Sequence, residues 1–388
     1  MGGSTAGQRI NCPGSYQLEQ QAPPKEASEF ADEGSMLHAA MELIIVADPE
    51  TLKAAEPLFD ELVGQDMGFE GHEITEEHIE SKIRPATEAW LRVCKKYGLD
   101  DWFIEQRVSL ESEIDGAFGT ADILAKDTKN RLHVLDWKFG DGVPVPVEGN
   151  YGAGFYAAAA LYDVDPELQE FCDEIESVVL HIVQPRRGYA DDPLQTWETS
   201  VEWIEALVDQ AYEANQKALQ PNPPLKTGAW CRWCAAKAIC PEHQNLAAEA
   251  LSVAPESMTA VDMGKYLAMA DQLKSWIASV YELAQSEMER GAAVPGYKLV
   301  EKRATRKWAD EGAVIETLRK SKRPRKSYMK ETLLSPAQIE KNFPKLYSKT
   351  LSAMVNSKSS GVTVVTDDDK RPAVTSSVAL LANALPGK

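Results

Sequence analysis

Three cysteines fall inside ten residues of AWCRWCAAKAICPEH, and this C-x2-C-x5-C group, Cys231, Cys234 and Cys240, constrains the chain more than any other feature. The N-terminus MGGSTAGQRINCPGS lacks the charged-then-apolar order of a secretory signal, and no run of eighteen or more apolar residues occurs. The expected compartment is therefore the cytoplasm, with no membrane partner. In such a reducing setting, clustered thiols point to a metal rather than to a disulfide framework.

The fourth ligand decides which metal. His243 would complete a tetrahedral zinc site of three thiolates and an imidazole. The distant Cys12 would instead make four thiolates, which suit an iron-sulfur cluster and also suit zinc, so spacing leaves both open. A ligand at position 12 joined to three beyond 230 closes a loop of more than two hundred residues. By analogy with disulfide loop closure, that stabilises the fold by roughly 4 to 5 kcal/mol. Cys94 and Cys172 lie in expected helices among apolar neighbours and read as buried structural thiols.

The net charge of −19 over 388 residues argues at first against a nucleic-acid partner, since phosphate binding relies on basic surface. The charge is unevenly spread. Residues Lys298 to Lys358 hold sixteen Lys or Arg against six Asp or Glu, and KSKRPRKSY is the densest part. A basic segment on an acidic body is the pattern of an interaction arm. With 44% hydrophobic residues the chain buries at least one full core, and its length predicts two or three domains.

Apolar spacing predicts a helix over Ser28 to Ala47, carrying His38, and another over Glu76 to Tyr97 that ends at Gly98. Trp102 to Leu110, Gly116 to Leu124 and Leu132 to Trp137 read as a three-strand meander. An alanine-rich helix over Tyr151 to Tyr162 and a buried strand over Val178 to Val183 follow. Further helices are expected over Trp203 to Leu219, stopped by QPNPP, and over Met258 to Arg290. The tail after Lys370 reads as loose. No internal repeat, Walker-type loop or G-x-G-x-x-G fingerprint is present, which disfavours a motor or a dinucleotide enzyme.

The segment GTADILAKDTKNRLHVLDWKFG sets Asp122 near the end of one strand and Asp136-Trp137-Lys138 at the end of the next. Alternation on a strand projects Asp136 and Lys138 to one face and Trp137 to the other. Two carboxylates from adjacent strands suit Mg²⁺ or Mn²⁺, and an ammonium beside them suits stabilisation of charge on phosphorus. D-x-K alone is a common surface ion pair. Its company is what points to phosphodiester hydrolysis: Asp122 on the preceding strand, Glu105 one strand earlier, and His38 on a helix upstream.

With these residues in hand, residues 9 to 245 resemble the RecB-like branch of the PD-(D/E)XK nucleases, and specifically its iron-sulfur members in phages and in CRISPR-associated and helicase-linked exonucleases. The resemblance implies an α/β fold: a restriction-endonuclease-like core with a central mixed sheet flanked by helices, an iron-sulfur-clamped flap and a basic C-terminal region. Residues 1–250 would form the nuclease domain, with its core at about 100–190, and residues 251–388 a helical and basic region. It implies His38, Asp122 and Asp136 as Mg²⁺ or Mn²⁺ ligands, with Asp122, Asp136, Lys138 and Glu105 as catalytic residues. Cys12, Cys231, Cys234 and Cys240 resemble the family's four-iron four-sulfur ligands in order and spacing. In the family's Q-x-x-x-Y helix, Tyr156 fits the DNA-contacting Tyr, but the Gln position holds Gly152. HIVQPRR resembles a strand and exit turn that would bring Arg186 and Arg187 to phosphates.

The implied activity is exonucleolytic cleavage of single-stranded or end-resected DNA in phage recombination, repair or replication. A single-strand annealing or binding protein is the implied partner, and any unwinding must come from elsewhere. The rival expectation is a catalytically inactive DNA-binding or assembly protein on the same scaffold, with a structural metal cluster.

Overall fold

The computed structural model describes residues 1–23, 29–69, 72–140, 143–186, 192–252, 259–290, 294–295 and 297. Two compact units divide the chain, Met1–Ala292 and Ala293–Lys388. The basic segment 298–358, the tail after 370 and Arg187 lie outside the described residues.

Helices α1 (Gly3–Asn11), α2 (Ser15–Glu19), α3 (Glu29–Val46) and α4 (Leu52–Leu62) come first. Then α5 (Glu76–His78), a π-helical stretch Ile79–Ile83 and α6 (Arg84–Tyr97) run on continuously to Gly98, whose φ of 68° and N–H to the Cys94 carbonyl end the helix. Strands β1 (Trp102–Ser109), β2 (Phe118–Lys126) and β3 (Arg131–Trp137) form the expected meander. The crossover α7 (Tyr151–Leu161) and α8 (Pro166–Phe171) leads to β4 (Ser177–Val183), β5 (Leu194–Ser200) and α9 (Val201–Ala218). After two short 3-10 turns, Ala229–Trp233 and Lys237–Ile239, come α10 (Pro241–Leu251) and α11 (Ala260–Glu289). The last helix, expected to belong to the C-terminal region, lies within the first compact unit.

The sheet is five-stranded, in the order β1-β2-β3-β4-β5, and mixed: β3 and β4 are parallel and the other neighbours antiparallel. A parallel pair needs a long crossover, which α7 and α8 supply. The protein is thus a mixed α/β fold with helices on both sides of the sheet. One core joins Val134, Leu180 and Ile182 to Phe155, Ala157 and Ala158 of α7 and Ile204 of α9. The other joins Ile123, Leu135 and Trp137 to Met41 of α3, Phe59 of α4 and Trp90 of α6. Burial on both faces explains the near-continuous apolar runs of β3 and β4. Among the described residues no helix is long and apolar enough to cross a membrane.

Several elements escape sequence periodicity, α1 and β5 among them. The nine residues of α1 include two glycines and carry weak helical propensity, and the helix forms because it packs on α7 and α9. Strand β5 is half-exposed along its length, an edge strand without a strong alternating signature.

Candidate metal centre

The ladders on both sides of β2 stop at the same level. Between β1 and β2 the register runs Ile104↔Ile123 and resumes at Gln106↔Ala121, leaving Glu105 and Asp122 unpaired. Glu105 adopts φ 46°, a left-handed conformation that costs a non-glycine residue roughly 1 kcal/mol or more. Between β2 and β3 the last pair is Ile123↔Leu135. Beyond it the Trp137 N–H donates to Asp122 Oδ2 at 2.6 Å, so a carboxylate takes the place of the next ladder bond. On its other edge β3 stays paired to β4 through Trp137↔Val183, and the Lys138 N–H continues to the Val183 carbonyl at 2.9 Å.

Into this gap α3 delivers His38. Its Nδ1 lies 3.4 Å from Asp122 Oδ1 and 3.5 Å from Glu105 Oε1. Ligand atoms of His38, Glu105 and Asp122 all lie within 4.8 Å of one another, and among the described residues no other trio of His, Cys, Asp or Glu does so. Phe139 packs edge-on against the imidazole at 5.5 Å between ring centroids. Burial alone would lower the His38 pKa, but the hydrogen bonds and charges of Asp122 and Glu105 raise it to about 10. Protonated His38 thus supplies the positive charge that these carboxylates demand. A divalent ion would displace that proton and take the same field.

Asp136 stands beside the trio rather than in it. Its carboxylate, 4% exposed, forms a short ion pair with Lys138 Nζ. Burial raises the Asp136 pKa and the charge of Asp122 adds to this, against the opposing pull of Lys138 and His38. Burial would lower the Lys138 pKa, but the charges of Asp136 and Asp122 outweigh it and the ammonium is retained. Trp137 points into the opposite core, as strand alternation requires.

Tyr156 of α7 completes the centre. Its ring rests on two backbone segments without side chains: a Cβ on Gly3 would come within 2.3 Å of the ring Cζ, and one on Gly119 within 2.8 Å of Cε1. Burial, then the charges of Asp136, Asp122 and Glu105, raise the phenol pKa, so Tyr156 stays neutral and able to donate. Gly3 and Gly119 went unread from sequence, because nothing local signals that a ring from a distant helix crosses them. Arg186 does not join this group. It is an exposed side chain after β4, 3.9 Å from Glu77 Oε1.

The cysteines expected as cluster ligands lie on two segments far apart in sequence. All six cysteines of the chain are free thiols. Cys12 follows α1, Cys231 lies in the first 3-10 turn, Cys234 ends it, and Cys240 precedes α10. Burial raises the Cys12 pKa, with a further contribution from Cys240, while the Lys226 N–H opposes it from 3.3 Å. Cys231 is raised by burial and by the charges of Cys12 and Cys240, and accepts from the Gly228 N–H at 3.4 Å. Cys234 is pushed up to about 12 by burial and Glu19. Hydrogen bonds join the two distant segments directly, with Gly14 N–H to the Pro224 carbonyl at 2.9 Å and Ala235 N–H to the Glu19 carboxylate Oε1 at 3.0 Å. His243 is 1% exposed and neither ring nitrogen has a hydrogen-bond partner. Cys94 and Cys172 are half-buried and pushed up to about 12 and about 11, in each case chiefly by burial.

A model of the family described as "Protein of unknown function (DUF2800)" matches residues 1–372. The chain belongs to the DUF2800 family. A solved structure described as "Crystal structure of SSO0001" aligns with this DUF2800 member at 14% identity, over 61% of this chain and 84% of its own, with a TM-score of 0.27. That likeness is too slight to inform fold or function.

Proposed function

We propose that this DUF2800 protein is a Mg²⁺- or Mn²⁺-dependent DNA nuclease with a PD-(D/E)XK core and an iron-sulfur-clamped flap. The observation that carries the reading is the convergence of His38, Glu105 and Asp122 at a level where both ladders of β2 are interrupted, with the Asp136–Lys138 pair alongside. A strained residue and an opened ladder at a cluster of oxygen ligands are what a binding centre requires and what a plain sheet avoids.

The donor set of carboxylates and one imidazole fits a hard divalent ion. Such an ion would neutralise phosphate oxygens and acidify a bound water. Asp122 divides its oxygens, one held by the Trp137 N–H and one facing His38, so its orientation is fixed before any ligand arrives. Lys138 keeps its proton and is placed to donate to a phosphate oxygen or orient the attacking water. Tyr156 offers a neutral donor within reach of the charges of Asp136, Asp122 and Glu105.

Cys12, Cys231 and Cys240 lie close enough to feel one another's charge, and together with Cys234 they would hold an iron-sulfur cluster, each thiolate binding its own iron. The Lys226 and Gly228 N–H groups at Cys12 and Cys231 are the kind of donors that tune cluster sulfurs.

The experiment is a digestion time course in Mn²⁺ with 5′- and 3′-labelled single- and double-stranded DNA. Wild type is expected to release products from an end of single-stranded DNA, and Asp122→Asn to release none. Binding without cleavage by the wild-type protein overturns the reading in favour of an inactive DNA-binding scaffold.

A further inference from the structure

Between the cysteine flap and α11 runs a groove of about 730 Å³, away from the acid centre. Its walls are tied together. Lys237 Nζ donates to Ser275 Oγ at 2.7 Å and to the Arg232 carbonyl at 3.1 Å, and Trp276 Nε1 donates to the Ala238 carbonyl at 3.3 Å. The groove is therefore a fixed feature of the flap rather than a gap between loose parts.

Its lining departs from the rest of the molecule. The chain carries a net charge of −19, yet Arg232, Lys237 and Arg290 line the groove against the single lining acid Glu282, with Arg290 also paired to Glu287 at 3.2 Å. Ser279 and Ser286 add hydroxyls along α11. Trp233, also in the lining, is 77% exposed, and the Arg232 guanidinium lies 5.6 Å from its ring centroid. An indole left open to water beside a guanidinium is a poor surface for a solvated flap and a good one for a base with its phosphates.

We propose that this groove is a landing site for single-stranded DNA, with a base stacked on Trp233 and flanking phosphates paired to Arg232 and Arg290. This inference rests on the nuclease reading above. It gives the flap a role beyond stapling: holding the strand outside the centre so that its end is presented repeatedly. Charge complementarity favours a polyanion over a protein partner, and the aromatic platform favours unpaired bases over duplex.

The test is fluorescence anisotropy of labelled dT20 with the full-length protein in the absence of divalent metal, so that nothing is cut. Trp233→Ala is expected to weaken binding by roughly 5- to 100-fold, the usual range for one stacked base, while Trp233→Phe stays close to wild type. Arg232→Ala with Arg290→Ala is expected to lower the slope of log K against log salt by about 1.4, for two phosphate contacts on a single strand. Circular dichroism and sulfide content, unchanged in each variant, exclude collapse of the flap.

Wild-type affinity retained by Trp233→Ala and an unchanged salt slope in the double variant overturn the proposal, as does a wild type that binds no dT20 or prefers duplex. Cleavage in Mn²⁺ is scored separately. A wild type that cuts nothing, with dT20 binding that still depends on Trp233, refutes the nuclease reading and leaves the groove standing. Cleavage that depends on Asp122, with binding indifferent to Trp233, does the reverse.

Discussion

The acid centre and the cysteine flap bring distant residues together by different means. Asp122 and Asp136 ride on strands whose other residues are locked in ladders and two apolar cores, so the centre holds its geometry as a by-product of the sheet. Cys231, Cys234 and Cys240 ride on short 3-10 turns with few buried apolar neighbours, joined to the N-terminal segment by a handful of hydrogen bonds. A centre built on a sheet is preorganised whether or not an ion is bound. A flap of short turns would gain further rigidity from an ion or cluster held by the four thiols proposed as ligands.

The largest expected effect sharpens that contrast. Cys12→Ser, which removes the proposed cluster ligand that lies far in sequence from the other three, should lower stability by about 4 to 5 kcal/mol on the loop-closure analogy. Calorimetry should record a fall in Tm of roughly 10 °C or more, with loss of colour and sulfide. Residual Mn²⁺-dependent cleavage at low temperature should survive, because the sheet does not depend on the flap. An unchanged Tm would break the comparison.

Lys138→Ala comes next. Cleavage should fall roughly 10²- to 10³-fold, equivalent to about 3 to 4 kcal/mol, with Tm and sulfide content near wild type. Loss of Tm on this scale would mean that the Asp136–Lys138 pair holds the sheet together rather than serving chemistry.

Acid should act on the sheet in a definable window. His133 and His181 are buried on β3 and β4, joined Nδ1 to Nε2 at 3.0 Å, with His181 also bonded to Thr196. Burial lowers His133 from 6.5 to about 4, with partial opposition from Asp127, and holds His181 well below its usual value. Because the unfolded chain takes up these protons first, stability is full above pH 6.5 and falls as the pH drops towards 4. His133 alone accounts for about 3 kcal/mol over that window. Urea unfolding at pH 7.5 and pH 5 checks this, and equal midpoints would refute it.

The smallest effect concerns the cradle under Tyr156. Gly119→Ala should displace the ring and reduce cleavage several-fold, because its Cβ would meet Tyr156 at 2.8 Å. Tyr156→Phe should cost less than tenfold if the phenol only positions the substrate. Steady-state kinetics separates the two, with the glycine variant expected to shift KM more than the phenylalanine one.

What the sequence determined is whatever repeats over a few residues. The period of two put Asp136 and Lys138 on one face and Trp137 on the other, the period of 3.6 marked the helices carrying His38 and Tyr156, and Gly98 marked a helix end. Cysteine spacing raised the expectation of a metal and left zinc and iron-sulfur open. What only the tertiary structure decided depends on backbone meeting backbone far away in sequence. The left-handed Glu105, the carboxylate of Asp122 standing in for a ladder bond and the Gly3 and Gly119 cradle are all of this kind. So is the place of Asp136 beside the trio of His38, Glu105 and Asp122 rather than within it. Local steric preference is written in adjacent residues, whereas convergence is set by how two cores close on the two faces of one sheet.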